Sequence, residues 1–145
     1  MCQRVIHGLM MIALVIGLIG LSPAPMAYAA SNGQQIMIQV NNGNFPAFHH
    51  FKYIVVKGTN QNGQQASYYT GDGIFTQNPY QINGWWWKGS AGAWGTVYRA
   101  DGTSSFFTCS FNVPTNQTSN WTKLTLTPYR GSVGGISYSC SSSPG

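Results

Sequence analysis

Apolar and polar side chains alternate with a period of two over several short stretches of this 145-residue chain. Such alternation, in stretches rich in β-branched and aromatic residues, is typical of half-buried β-strands. It predicts strands over residues 36–40, 51–57, 66–70, 74–76, 94–99, 104–111, 121–127 and 136–140. After Ser31 no stretch sustains the i, i+3, i+4, i+7 apolar spacing of an amphipathic helix. The pattern therefore predicts an all-β fold.

Turn-forming residues separate these predicted strands. Asn62-Gly63 precedes the third strand, and Asp101-Gly102 lies between the strands over 94–99 and 104–111. Both dipeptides readily take the positive φ values of tight hairpin turns. A succession of short strands joined by turns is typical of a small antiparallel β-sandwich, with a small β-barrel as the alternative.

Residues 1–30 have the layout of a cleavable secretory signal peptide. Arg4 lies in a short leading region, residues 8–21 are almost wholly apolar, and two prolines then precede Ala27-Tyr28-Ala29. Small residues at the two alanine positions fit the narrow pockets of signal peptidase. The apolar stretch is shorter than the roughly 20 residues that span a bilayer, which disfavours an uncleaved anchor. The sequence therefore predicts a secreted or periplasmic protein.

Two cysteines, Cys109 and Cys140, follow the predicted signal. An even pair in an oxidising compartment predicts a disulfide. Closing that loop would contribute about 3 to 4 kcal/mol on the chain-entropy model, a large share of a small domain's stability. The sequence predicts one β-sandwich domain over residues 31–140 and a flexible tail over residues 141–145, because that tail is small and polar.

Groups that catalyse reactions or bind metals are scarce after the predicted signal. Six basic residues against two aspartates leave a net charge of +4, and the chain has no glutamate. Asp72 and Asp101 both precede glycine, so turn formation explains them, whereas a two-carboxylate glycosidase would need both. Adjacent strand residues such as His49 and His50 point to opposite faces and do not readily chelate one ion. We predict a non-enzymatic protein without a catalytic site, a metal site or a cofactor.

Aromatic residues are concentrated between residues 80 and 94. Three consecutive tryptophans occur there, and successive strand residues alternate between faces, so the three cannot all face the core. Packing against the core and a covering loop is one explanation. The other is a ligand-binding aromatic surface, for which the candidate residues are Tyr80, Trp85, Trp86, Trp87, Lys88 and Trp94.

Several partner classes suit such a surface. Exposed aromatic rings stack on sugars without requiring acidic residues, so a carbohydrate or another cell-envelope component is the leading ligand class. A membrane-active protein or toxin that inserts its tryptophans beside Lys88 at a membrane surface is the alternative. A further alternative is a surface structural protein that self-assembles by edge-to-edge strand pairing. Nucleic acid ranks lower, because the basic residues are scattered singly.

Residues 105–111, Ser-Phe-Phe-Thr-Cys-Ser-Phe, are similar to the aromatic-cysteine strand of the plant self-incompatibility S1-like proteins. That family consists of secreted β-sandwiches. The similarity covers this one strand, and the family's other cysteines are absent here. The resemblance agrees with a secreted sandwich and implies no function.

Overall fold

The computed structural model describes residues 33–115 and 117–145. These residues form seven strands: β1 (Gln34–Val40), β2 (Phe48–Asn60), β3 (Gln65–Tyr69), β4 (Tyr80–Arg99), β5 (Ser104–Val113), β6 (Trp121–Arg130) and β7 (Ile136–Pro144). The predicted all-β class is confirmed. The predicted signal peptide over residues 1–30 lies outside the described residues. Within the described part there is no helix long and apolar enough to cross a membrane.

The seven strands belong to one open sheet in which β4 is shared between two layers. The sheet order is β3-β2-β4-β1-β6-β7, and β5 also pairs with β4. The second half of β4 pairs with β2 and β5, whereas its first half pairs with β1. The front layer is therefore β3-β2-β4-β5, and the back layer is the start of β4 with β1, β6 and β7. This arrangement is consistent with the predicted small sandwich, although the parallel pairing of β1 with β6 makes the sheet mixed.

Two irregularities let β4 pass from one layer to the other. Residues 83–86 have no partners in β1, and residues 89–90 are extra relative to β2. Gly84 and Gly89 lie in these irregular segments with φ of 77° and 66°, a conformation that glycine adopts without a steric penalty. The strand therefore begins at Tyr80, fourteen residues before the predicted strand over 94–99, because the bulges interrupt the period-two pattern.

Alternate residues of the strands point between the two layers and form the core. Its largest fully buried side chains are Trp87, Phe51, Phe107, Ile36, Ile38, Ile54, Ile82, Leu124 and Leu126. Gly95 also faces this core, where an added Cβ would meet the Tyr53 carbonyl oxygen and would lie 2.9 Å from the Phe107 ring. Glycine at this position therefore leaves room for its front-layer neighbours, the backbone of β2 and the Phe107 side chain of β5.

The predicted disulfide between Cys109 and Cys140 is confirmed, with a Cα–Cα distance of 5.8 Å. It joins β5 of the front layer to β7 of the back layer. The Ser142 hydroxyl also donates a hydrogen bond of 3.4 Å to the carbonyl oxygen of Asn112. Side chains of β7 thus cover the edge of β5 that has no strand partner, which leaves less of that edge open to pairing with another chain.

The last residues extend β7, where the sequence predicted a flexible tail over 141–145. Ser141 pairs with Thr125 and Pro144 pairs with Thr122, while the Gly145 amide donates to the Trp121 carbonyl at 2.9 Å. This part of β7 is exposed on both faces and so has no apolar alternation to signal a strand. Backbone hydrogen bonds to β6 hold it. The predicted strand over 74–76 is reduced to a single bridge between Phe51 and Phe75.

Candidate functional site

Four aromatic residues line the junction between β3 and the first half of β4. We call this group, Tyr68, Tyr80, Trp85 and Trp87, the aromatic seam. The Trp85 ring stacks on Trp87 with centroids 6.0 Å apart and meets Tyr68 edge-on at 5.6 Å. The hydroxyls of Tyr68 and Tyr80 lie 3.2 Å apart, within hydrogen-bonding distance. These contacts hold β3 against β4 where the two strands do not pair.

Two of the predicted binding residues in the seam are engaged in packing. Trp87 is fully buried, and its indole Nε1 has no hydrogen-bond partner within the described structure. Tyr80 packs on Phe51 and Phe75. Burial, followed by the hydrogen bond with Tyr68, raises the pKa of Tyr80 far above its usual value, so its phenol stays neutral. The packing explanation therefore accounts for these two side chains.

Of the next three predicted residues, Trp86 and Lys88 contact the turn between β2 and β3, and Trp85 lies against Tyr68 of β3. Trp85 is 41% exposed and Trp86 is half-buried. The Trp86 carbonyl accepts a hydrogen bond of 3.2 Å from the Gln61 amide, and Lys88 Nζ donates one of 3.1 Å to the Gln61 carbonyl. Of the seam residues, Trp85 presents the largest exposed ring, but it rests on Trp87 and Tyr68.

Trp94 lies elsewhere, on the solvent side of the front layer, which we call the outer face. It is flanked across the sheet by Val55 of β2 and Thr108 of β5. Its neighbours along β4, Ala93 and Gly95, are buried, so the half-buried Trp94 ring lies on the opposite side from the core. The structure thus separates Trp94 from the seam residues with which the sequence grouped it.

A hollow in the outer face lies next to Trp94. Gly92 points to the same side as Trp94 and has no side chain, and its cross-strand neighbours are Lys57 and Ser110. The hollow has a volume of about 600 Å³ and is lined by Lys57, Gln65, Gly92, Trp94, Ser110 and Asn112, among others. An aromatic ring therefore adjoins a hollow that presents hydroxyl, amide and ammonium groups.

A second hollow of about 490 Å³ continues from the first. It is lined by Lys88, Gly89 and residues 112–115, and it shares Asn112 with the first hollow. We call the two hollows together the groove. Lys88 and Trp94, both predicted from the sequence as binding residues, thus line two neighbouring hollows that meet at Asn112.

Acidic groups in the described residues lie away from the groove. Asp101 is in the β4–β5 turn, where it accepts hydrogen bonds from the Thr103 hydroxyl and the Thr103 amide, which lower the pKa of its carboxyl. Asp72 accepts a hydrogen bond of 2.9 Å from the Tyr69 hydroxyl. Neither aspartate lines either hollow. Over residues 33–115 and 117–145, no three His, Cys, Asp or Glu side chains come together as a metal site.

His50 and Arg99 have packing roles near the end of the front layer. The His50 ring stacks on Tyr98 at 4.6 Å, and its Nδ1 is buried without a hydrogen-bond partner in the described part of the chain. Burial, reinforced by His49, lowers the pKa of His50. Arg99 is 3% exposed, and its guanidinium donates a hydrogen bond to the Tyr138 hydroxyl. Burial raises the pKa of that phenol, against the opposing effect of Arg99.

Sequence reasoning missed Lys57, Gly92, Ser110 and Asn112 as parts of the site. The sequence feature that could have identified Gly92 and Ser110 is the alternation of faces in the two strands joined by the Asp101-Gly102 turn. Residues two apart share a face, so Gly92 accompanies Trp94 and, in β5, Ser110 accompanies Thr108. The pairing of β2 with β4, which brings Lys57 beside Gly92, depends on long-range register and is not visible in the local sequence.

No family model, curated protein or solved structure matches this chain.

Proposed function

We propose that this protein is a secreted, non-enzymatic module that binds carbohydrate, or another cell-envelope component with sugar rings, in the groove beside Trp94. The observation that carries the proposal is the placement of Trp94 next to Gly92 on the outer face. An aromatic ring offers a flat apolar surface, and the missing side chain at Gly92 leaves room for a ring to lie against it.

The polar lining of the groove supports the same ligand class. Ser110 supplies a hydroxyl, whereas Gln65 and Asn112 supply amides that both donate and accept hydrogen bonds. Sugars present alternating hydroxyls around an apolar ring, which such groups complement. A binding site of this kind requires no acid, base or metal, in keeping with the few titratable groups around it.

The test replaces Trp94 with alanine and uses Trp121→Ala as the matched control. Both tryptophans are half-buried, and Trp121 alternates with buried Thr122 in β6, so it lies on the outside of the back layer. Affinity electrophoresis through gels containing soluble polysaccharides measures binding. We expect at least one polysaccharide to retard the protein, and Trp94→Ala to weaken that binding about tenfold, the equivalent of 1.4 kcal/mol.

The controls distinguish this proposal from membrane insertion. Trp121→Ala should bind as the unmodified protein does. If no polysaccharide retards the protein while anionic liposomes quench its tryptophan fluorescence, the carbohydrate proposal is wrong and the membrane-active alternative is favoured. If Trp94→Ala and Trp121→Ala lose the same amount of polysaccharide affinity, the outer face of the front layer is not the binding surface.

A further inference from the structure

The groove is long enough for a chain of several linked units. Its first hollow lies beside Trp94, whose partner in β5 is Thr108, and its second reaches Pro114. Strand residues rise about 3.3 Å each, so the extended segment from Thr108 through the end of β5 to Pro114 spans roughly 20 Å. A depression of that length, open to solvent along the sheet, suits a linear polymer better than a single sugar.

Each hollow carries one ammonium group. Lys57 lines the first hollow and Lys88 the second. The contact made by Lys88 Nζ is to the neutral carbonyl oxygen of Gln61, which leaves its charge uncompensated. Asp72 and Asp101, the two acidic residues, lie outside both hollows. The groove therefore presents positive charge at two points along its length.

The two positive charges favour an acidic ligand over a neutral one. A neutral glycan would gain hydrogen bonds but no charge attraction from two lysines, whereas a chain that carries carboxylates at intervals would meet a cation in each hollow. A lipid headgroup layer is flat and would leave the floor of the groove at Gly92 unfilled. Single-stranded nucleic acid favours several exposed stacking rings along a basic channel. In the described residues the groove lining has two aromatic side chains, and of these Phe111 is buried in the core, which leaves Trp94 as the stacking ring.

We infer that the groove binds a linear acidic polysaccharide of the polyuronate type, with one sugar ring stacked on Trp94 and carboxylates contacting Lys57 and Lys88. This inference rests on the proposed function and specifies its ligand. It makes binding depend on salt, because exposed ion pairs weaken as ionic strength rises.

Polygalacturonate and its carboxyl-reduced form are the matched probes, since they differ only in the charged group. Titration calorimetry of the purified protein at 50 and 500 mM NaCl measures both. We expect polygalacturonate to bind about tenfold more tightly than the reduced polymer at low salt, and most of that difference to vanish at high salt. Lys57→Gln should weaken polygalacturonate binding about three- to tenfold, and Lys88→Gln similarly.

Lys123→Gln is the charge-matched control, because Lys123 lies on the outside of the back layer and changes the net charge equally. We expect less than a twofold effect on affinity. Equal effects of Lys57→Gln and Lys123→Gln, or equal binding of the two polymers, would overturn the inference. If the carboxyl-reduced polymer binds as tightly and its binding depends on Trp94, the inference is wrong but the proposed function stands. If neither polymer nor any other glycan binds, both the inference and the proposed function are wrong. Tighter binding of a single-stranded oligonucleotide or of anionic vesicles would also overturn the inference.

Discussion

Gly92→Val tests whether the empty space beside Trp94 is the binding site, without disturbing the sheet. Gly92 has ordinary extended backbone, and an added Cβ would meet only the Cys109 carbonyl oxygen, at 3.6 Å, which is normal van der Waals contact. Valine suits a strand, and glycine within a strand costs about 0.5–1 kcal/mol relative to alanine. The free energy of unfolding should therefore stay unchanged or rise by up to about 1 kcal/mol.

The same substitution should weaken polysaccharide binding. The new side chain projects into the hollow of about 600 Å³ between Trp94 and Lys57, where the sugar ring would stack. We expect affinity for the retained polysaccharide to fall at least tenfold, about 1.4 kcal/mol. Urea denaturation measures stability, and affinity electrophoresis of the same preparation measures binding.

Two other glycines serve as controls for this variant. At Gly95 an added Cβ would collide with the Tyr53 carbonyl and the Phe107 ring, so Gly95→Ala should cost about 3 kcal/mol or more of stability. At Gly135, in the β6–β7 turn, nothing lies within 4 Å, so Gly135→Val should leave binding intact. A folded Gly92→Val protein that binds as tightly as the original would refute the assignment of the groove.

Three further predictions concern stability. Replacing Cys109 and Cys140 with serine removes a disulfide between residues 31 apart in the sequence. The free energy of unfolding, measured by urea denaturation, should fall by about 3 to 4 kcal/mol, and a loss below about 1 kcal/mol would contradict the chain-entropy estimate. Tyr138→Phe removes a hydrogen-bond acceptor from the buried Arg99 guanidinium and should lower the free energy of unfolding by about 2 kcal/mol. Adding Arg99→Met should recover part of that loss. If the effects of the two substitutions on the free energy of unfolding simply add, the two residues are not coupled. The pKa of His50 is lowered in the folded state, so unfolding takes up a proton at pH values below about 6.5 and the free energy of unfolding should decrease as the pH falls through that value. Thermal melts of His50→Phe should show a smaller decrease. An unchanged pH profile in that variant would exclude His50 as its source.

Local pattern was sufficient to predict most strands and the disulfide. The Asp101-Gly102 turn joins β4 and β5 as predicted, with Gly102 at φ 80°. Alternation predicted a strand over 74–76 that is a single bridge, and it failed at two further places for different reasons. The bulges around Gly84 and Gly89 shift the faces of β4, so its first half has no regular period. The end of β7 is held by backbone hydrogen bonds to β6 and by the Ser142 hydroxyl, which an apolar side-chain pattern does not record.

The candidate site was harder to predict because a dense run of aromatic residues can serve the fold as well as a ligand. The sandwich has two junctions where front and back layers meet without strand pairing. The disulfide and β7 side chains close the β5–β7 junction, and the aromatic seam closes the one between β3 and β4.

This division explains why the three consecutive tryptophans do not form one binding platform. Trp87 fills the core, and Trp85 rests on it to hold the short strand β3 in place. Trp94, which pairs with Thr108 on the outer face, takes part in neither junction. Our proposal therefore places the outside partner at Trp94, because Gly92 beside it leaves room for a ligand.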